Sequence, residues 1–212
     1  MIETAIKWLG GLLAYAVLGI VLHGTWRGTQ QQAGRTIGLS GGWLRSWWFY
    51  LACTVVYFGL AYLGWKPLHW SISSYARVWM MSFGSLLYFP GLLFLLWARL
   101  TLGKNYFVST GFSAQLFKDH QLITSGPFAI VRHPMYAGLI LAAMGSLLIY
   151  ATWTTVYFAC FAPLMFFRAR REEQVLAKEF GKQWIEYSGR VPAFIPRVRK
   201  ERHDQSQHVP SH

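Results

Sequence analysis

Charge is scarce in this chain. Lys, Arg, Asp and Glu together make up 13% of its 212 residues, where a soluble globular domain carries about 25%. Hydrophobic residues reach 54% and aromatics 17%. That excludes a disordered chain, which cannot be so apolar. It also argues against a soluble fold, because a chain this short has too little interior to hide that much apolar surface. Cysteine is nearly absent, and two residues cannot build a disulfide framework. Cys53 and Cys160 both lie in apolar runs, where such residues are expected to be small core side chains. No Gly-x-Gly-x-x-Gly turn occurs, so nothing signals a Rossmann-type nucleotide site. No internal repeat is visible.

What is abundant is the long apolar run. A membrane span takes roughly 20 mostly apolar residues. Five segments approach this: Trp8 to Leu22, Trp47 to Trp65, Val78 to Ala98, Pro134 to Tyr150 and Thr154 to Phe167. Trp and Tyr stand at many of their ends, as interfacial belts require. The first run, being short, also fits a signal peptide, but four further spans favour a signal anchor.

The formal net charge is +12, which by itself could point to nucleic acid. The placement of the charges says otherwise. If 23–46, 99–133 and 168–212 face the cytoplasm, 17 of the 20 Lys and Arg residues lie on that side, and only Lys7, Lys66 and Arg77 fall outside it. The positive-inside rule accounts for such asymmetry. The amino terminus is therefore expected outside and the carboxyl terminus inside. No nucleic-acid reader module is present, and no nucleic-acid partner is expected. The tail contains His203, His208 and His212, but nothing near them supplies a tetrahedral metal set, so residues 198–212 read as a disordered tail without metal.

Chemistry concentrates after residue 98. The 99–133 connection is too long for a simple turn, and long ordered loops are often functional. It holds Gly103, Gly111 and Ser125-Gly126-Pro127, and ends in Arg132-His133-Pro134. Pro134 suits the first turn of a helix, where its missing N–H is not needed. Arg132 and His133 then stand at that helix's mouth, with Tyr136 and Gly138 in its first turns. The link at Ala151 to Trp153 is so short that the next helix must return antiparallel. It regains the level of His133 near Arg168 and continues with Arg168, Glu172, Leu176 and Phe180 at spacings of four. Arg132, His133 and Tyr136 are thus expected close to Arg168, Glu172 and Glu173. Taken singly, Arg170 and Arg171 also read as topology anchors, Glu172 and Glu173 as solvated helix charges, and Gly126-Pro127 as a turn. Spacing alone makes the cluster a site candidate and does not say for what.

The run Leu122-Ile-Thr-Ser-Gly-Pro-Phe-Ala-Ile-Val-Arg-His-Pro-Met-Tyr-Ala-Gly138 resembles the central motif of the isoprenylcysteine carboxyl methyltransferase family, which is related to the phospholipid methyltransferases. Downstream, Arg168-x-x-x-Glu172-Glu173-x-x-Leu176, Phe180-Gly181, Tyr187 and Val191-Pro192-x-x-Ile195-Pro196 are similar to that family's carboxyl-terminal pattern. The likeness covers roughly residues 99–197; residues 1–98 match only as apolar spans.

The resemblance implies an all-α integral membrane enzyme of about five transmembrane helices. Its cofactor pocket would sit at the cytoplasmic face, on the last helical hairpin. Residues 1–98 would be a three-helix membrane region and 99–197 the methyltransferase region. It further implies S-adenosylmethionine as cofactor, with His133 and Tyr136 lining its pocket. Gly126 and Gly138 would allow close backbone approach, and Glu172 and Glu173 would hold its polar groups. Arg168 would face cofactor or acceptor. Arg168, Glu173 and Tyr187 are the candidates for catalysis, with Glu172, Glu173 or Tyr187 as base if the acceptor is an amine. The acceptor would be lipid-like and enter sideways from the bilayer: a prenylcysteine-like carboxylate, a phospholipid amine or a small thiol. A membrane reductase using NADPH, and a non-catalytic membrane scaffold, are the competing readings. Oligomeric state is not legible.

The orientation is directly testable. Reporter fusions at residues 70 and 200 are expected on opposite sides of the membrane, with 200 cytoplasmic. Same-side signals would break the five-span arrangement.

Overall fold

The computed structural model describes residues 1–30, 33–38, 46–105, 113–117 and 121–197. The expected tail 198–212 and Gly111 lie outside the described residues. Seven α-helices are described: α1 Ile2–Gln30, α2 Trp47–Leu63, α3 Ser74–Leu102, α4 Pro134–Tyr150, α5 Trp153–Phe161, α6 Leu164–Phe180 and α7 Lys182–Arg190. A two-stranded antiparallel ribbon accompanies them, β1 Ala33–Gly38 against β2 Ser113–Phe117, with Thr36 opposite Gln115 and Gly38 opposite Ser113. It joins the connection after α1 to the connection after α3. β1 shows no alternation in the sequence, and β2 alternates only over Ser113 to Leu116. The other described elements are helical, as the apolar runs imply.

Among the described residues, two helices are long and apolar enough to cross a membrane, Ile2–Arg27 within α1 and Ser74–Leu102. The apolar helices Trp47–Leu63 and Pro134–Tyr150 are shorter. The fifth apolar segment is not one helix. Proline lacks the N–H that would bond four residues back, and its ring crowds that carbonyl. Around Pro163 the ladder tightens to three-residue bonds, Met165 N–H to Ala162 O and Phe166 N–H to Pro163 O, both 3.0 Å. The segment is thereby divided into α5 and α6.

The main packing is α3 against α4, through glycines on both. Gly84 and Gly91 stand seven apart on α3, and Gly138 and Gly145 seven apart on α4. A Cβ on Gly138 would lie 2.6 Å from Gly91 O, and one on Gly91 2.8 Å from Gly138 O. A Cβ on Gly145 would lie 2.5 Å from Tyr88 N and 2.7 Å from Gly84 O. Gly91 therefore faces Gly138 and Gly84 faces Gly145, an antiparallel register that brings the two backbones into direct contact. Around them Tyr88, Leu92, Leu95, Ala142 and Ile149 form the core, joined by Val17 of α1.

The far end of the hairpin is locked by polar contacts. Arg77 donates to Leu148 O (3.0 Å) and Ile149 O (2.6 Å), end carbonyls of α4 that lack helical partners, and to Glu3 Oε1 at 2.8 Å. Thr152 and Thr155 cap α5 reciprocally. The chain before α3 adds backbone bonds from Leu68 N to Ala151 O and from Trp153 N to Lys66 O. α4 and α5 are thus joined as tightly as the spacing implied.

Cys53 and Cys160 are exposed, not core. So are Trp8, Leu12 and Tyr15 of α1 and Leu60 and Tyr62 of α2. An apolar run does not say which of its faces meets protein, and here much of it faces outward.

The glycine register carries a prediction. Gly145→Ala places a methyl against two backbone atoms that cannot rotate away. A loss of about 1–3 kcal/mol is expected, read by thermal unfolding in detergent. Gly19→Ala, with nothing within 4 Å of its added methyl, should leave the midpoint unchanged or raised. Equal effects would refute the close crossing.

Candidate functional site

The ionisable cluster expected at the mouth of α4 is assembled there. Before α4 a tight turn, Gly126–Ala129, begins at a left-handed residue: Gly126 has φ +60, and a Cβ there would come within 3.2 Å of Thr101 Oγ1. The turn delivers Arg132 and His133 to the helix start, where His133 is the residue before Pro134. α6 brings the other half, with Arg168, Glu172 and Glu173 on successive turns.

Glu173 is the hub. Its Oε1 accepts from Arg132 Nε at 2.9 Å and from His133 Nε2 at 2.9 Å, and Arg132 Nη2 is ion-paired with it at 2.7 Å. The ring nitrogen facing a carboxylate carries the proton, so His133 donates. Burial pushes the Glu173 carboxyl up, but hydrogen bonds from His133 and Arg132 outweigh it and hold the group below its ordinary value. Glu172, the neighbouring acid, accepts the Tyr136 hydroxyl at 2.7 Å. The Arg168 guanidinium lies 5.6 Å over the Tyr136 ring, and that ring stacks on His133 at 5.7 Å. Five of the sequence-derived candidates, His133, Tyr136, Arg168, Glu172 and Glu173, therefore meet.

The remaining candidates have other partners. Close approach at Gly138 is to Gly91 and Leu95 of α3, so this glycine serves the helix crossing. Tyr187 is buried and donates its hydroxyl to Phe128 O at 2.7 Å. Burial pushes its hydroxyl up to about 12, which makes it a poor base near neutrality. Glu173, held low and occupied by two donors, is also a poor base. Its evident work is to position Arg132 and His133.

A third part has no mark in residue type. Residues 191–195 strap across the mouth of α4. Arg132 N bonds Pro192 O (2.8 Å) and His133 N bonds Ala193 O (3.0 Å). Arg132 Nη1 reaches Ser188 O at 2.9 Å and Val191 O at 2.7 Å, and its Cζ stands 5.9 Å over Trp184. Phe194, carried by the strap, stacks on His133 at 5.4 Å. The strap coincides with the Val191-Pro192-x-x-Ile195-Pro196 pattern, but no periodicity marks Phe194 or gives Arg132 its role. Among the described residues no group of three His, Cys, Asp or Glu side chains is placed to hold a metal ion.

The sequence profile of the phospholipid methyltransferase family matches residues 79–183, a span that holds the glycine crossing, His133, Tyr136 and the Glu pair. Through these residues, the chain is similar to the phospholipid methyltransferase family. Protein-S-isoprenylcysteine O-methyltransferase B of Arabidopsis thaliana is 28% identical over 122 residues, 57% of this chain and 61% of that protein. Protein-S-isoprenylcysteine O-methyltransferase of Schizosaccharomyces pombe is 34% identical over 83 residues, 38% of this chain and 35% of its own. Cobalt-zinc-cadmium resistance protein CzcN of Cupriavidus metallidurans is 35% identical over 83 residues, 38% of each chain. The chain spans less than two thirds of the length of each of these relatives.

Glu173 makes the site acid-sensitive in a defined direction. Its value when folded lies below the ordinary 4.5, so the stabilisation it gives is complete above about pH 4.5. It is lost as pH falls through the folded value. Thermal unfolding of the wild type should show this acid loss. Glu173→Gln should be less stable at pH 7 and lose less on acidification. Parallel pH profiles for the two proteins would refute the hub.

Proposed function

We propose that this protein is an integral membrane methyltransferase that uses S-adenosylmethionine and acts on a lipid-like acceptor, with a prenylcysteine-type carboxylate most favoured. One observation carries the reading. The Arg132-His133-Pro134-x-Tyr136 mouth of α4 is tied side chain to side chain to Glu172 and Glu173, some 40 residues on, within a chain similar to this family.

S-adenosylmethionine would supply a methyl group on a sulfonium, ready for one-step displacement. Its ammonium and hydroxyls call for an acidic acceptor and its carboxylate for a cation. Glu172, presented by Tyr136, and Arg168, over the Tyr136 ring, are residues of the required kinds. So charged a ligand enters hydrocarbon only at great cost and should bind at a helix mouth. His133, 5% exposed and fixed by Glu173, would form the floor. Alignment of acceptor and methyl would supply much of the rate.

The poor bases beside the site bear on the acceptor. Tyr187 is raised to about 12 and Glu173 is held low. An amine acceptor must lose a proton, whereas a carboxylate or thiolate arrives ready to attack. This favours the isoprenylcysteine-type carboxylate over a phospholipid amine, in line with the names of the Arabidopsis and fission-yeast relatives. The exposed apolar helices support multi-pass insertion, and the basic loops support a cytoplasmic site and carboxyl terminus. Residues 99–197 would be the methyltransferase region.

Incubation of purified protein with methyl-labelled cofactor and prenylcysteine carboxylates or phospholipids tests this. Label released as methanol by mild base marks a carboxyl ester; label retained in phospholipid would move the assignment to amines. In the same preparation, Glu172→Ala and His133→Ala should each weaken cofactor binding by about 10- to 150-fold in calorimetric titration, as loss of a charged hydrogen bond of about 1.5–3 kcal/mol implies. Unchanged affinity in both would overturn the cofactor site.

A further inference from the structure

The ring of Phe194 joins two unlike surfaces. It stacks on buried His133 at 5.4 Å, with an interplanar angle of 28°, and meets Phe166 of α6 at 4.5 Å. Phe166 is exposed, as are its neighbours Leu164 and Phe167. No charge occurs in α6 before Arg168. An aromatic path therefore leads from the polar mouth of α4 to an open apolar face on the first turn of α6. Tyr136, Arg168 and Glu172 give the site its polar wall, and Phe194 and Phe166 give it an apolar one.

The Phe194 ring is not what fixes the strap. That is done by Arg132 N to Pro192 O, His133 N to Ala193 O, and Arg132 Nη1 to Ser188 O and Val191 O. None of these uses the phenyl group. Binding sites for amphiphilic ligands pair a few placed polar groups with an apolar, aromatic-rich lining. An acceptor with a reactive polar end and a hydrocarbon chain needs both surfaces to be continuous, and here they meet at Phe194.

The geometry points to Phe194, with Phe166, as the wall along which the hydrocarbon chain of the methyl acceptor lies, and to Phe194 as a determinant of chain selectivity. This rests on the methyltransferase reading, and it adds residues from the strap to the acceptor side of the site. Cofactor contacts are left to the polar wall. Phe194→Ala should therefore weaken use of long-chain acceptors without loosening the cofactor.

Two measurements on the full-length protein in lipid nanodiscs test it. The first is labelling by a prenylcysteine analogue carrying a diazirine in its chain, followed by peptide mapping; it needs no turnover. Labels on 164–167 and 191–195 are expected, and labels confined to other segments would overturn the proposal. The second is steady-state methylation of prenylcysteines of ten, fifteen and twenty carbons. Phe194→Ala should raise KM by about 10-fold for the longest chain and less for the shortest, with kcat and cofactor affinity held, and Phe194→Leu should restore most of it. An equal change for all chains, a fall in cofactor affinity, or no change at all would overturn the selectivity role. The two readings fail separately. Labelled 191–195 peptides without any methyl transfer would remove the methyltransferase function and leave the apolar path. Methyl transfer with labels elsewhere and unaltered KM would remove the path and leave the function.

Discussion

Four glycines determine how near α3 and α4 approach, and most of the structure depends on that approach. Gly91 opposite Gly138 and Gly84 opposite Gly145 let the two backbones touch over two helical turns. Apolar side chains alone give little reason for helices to associate in a lipid-like setting, because the lipid is as apolar as they are; close contact and its dispersion energy do. α4 is therefore fixed in position and rotation against α3. Since α4 carries His133 at its start and Tyr136 in its first turn, the crossing also sets where the polar mouth lies. Arg77 closes the other end of the same helix on its last carbonyls, so α4 is held at both termini and along its length.

On that support the site is assembled by one arginine and one carboxylate. Arg132 uses its side chain in two directions: Nε and Nη2 toward Glu173, and Nη1 toward the carbonyls of Ser188 and Val191. A guanidinium can do this because its donors are spread around a rigid plane; a lysine ammonium, on a flexible stem, cannot hold such a fork. Arg132 thereby ties α6, α7 and the strap to the mouth of α4 in one residue. Pairing here is partly shielded from water, and removing one partner would leave the other desolvated and uncompensated. Glu173 is thus better understood as the reason His133 has a fixed orientation than as a participant in chemistry.

Much of this is legible in the sequence, for identifiable reasons. The start of α4 comes from Pro134, the return of the chain from the three-residue link at Ala151, and the meeting of Arg132, His133 and Tyr136 with Arg168, Glu172 and Glu173 from helix rise alone. Each is a local rule applied over a short distance. The features that the sequence hides are of another kind. The break at Pro163 sits inside an apolar run that hydropathy alone reads as continuous. The seven-residue glycine spacing appears on two helices separately, and its meaning exists only when they are paired. Gly138 lies in the motif and so reads as a cofactor glycine, while its space is taken by α3. In the ribbon, β1 has no apolar alternation to announce it, and the alternation Ser113-Ala-Gln-Leu116 in β2 is too short to stand out. The strap bonds through backbone atoms, which any residue possesses, so residue type cannot reveal it.

The position of the site also limits which chemistry is economical there. A methyl donor of the proposed kind is a zwitterion with an added positive sulfonium, and the proposed acceptor is an amphiphile. They can meet without either leaving its preferred medium only at the end of a membrane helix. On the proposed reading the mouth of α4 would be such a place, with Glu172, Tyr136 and Arg168 on one side and the exposed first turn of α6 on the other. Within it, the base candidates already have partners: Glu173 has the Arg132 and His133 donors, Tyr187 the Phe128 carbonyl, and Glu172 the Tyr136 hydroxyl. A site arranged in this way holds and aligns, and has few free groups with which to move protons. Displacement at a sulfonium methyl by an acceptor that is already anionic asks for nothing more, since the leaving group departs as a neutral thioether and no proton changes hands. The commitments of Glu173 and Tyr187 and the demands of the proposed reaction therefore agree, and that agreement supports the proposed carboxylate acceptor over an amine.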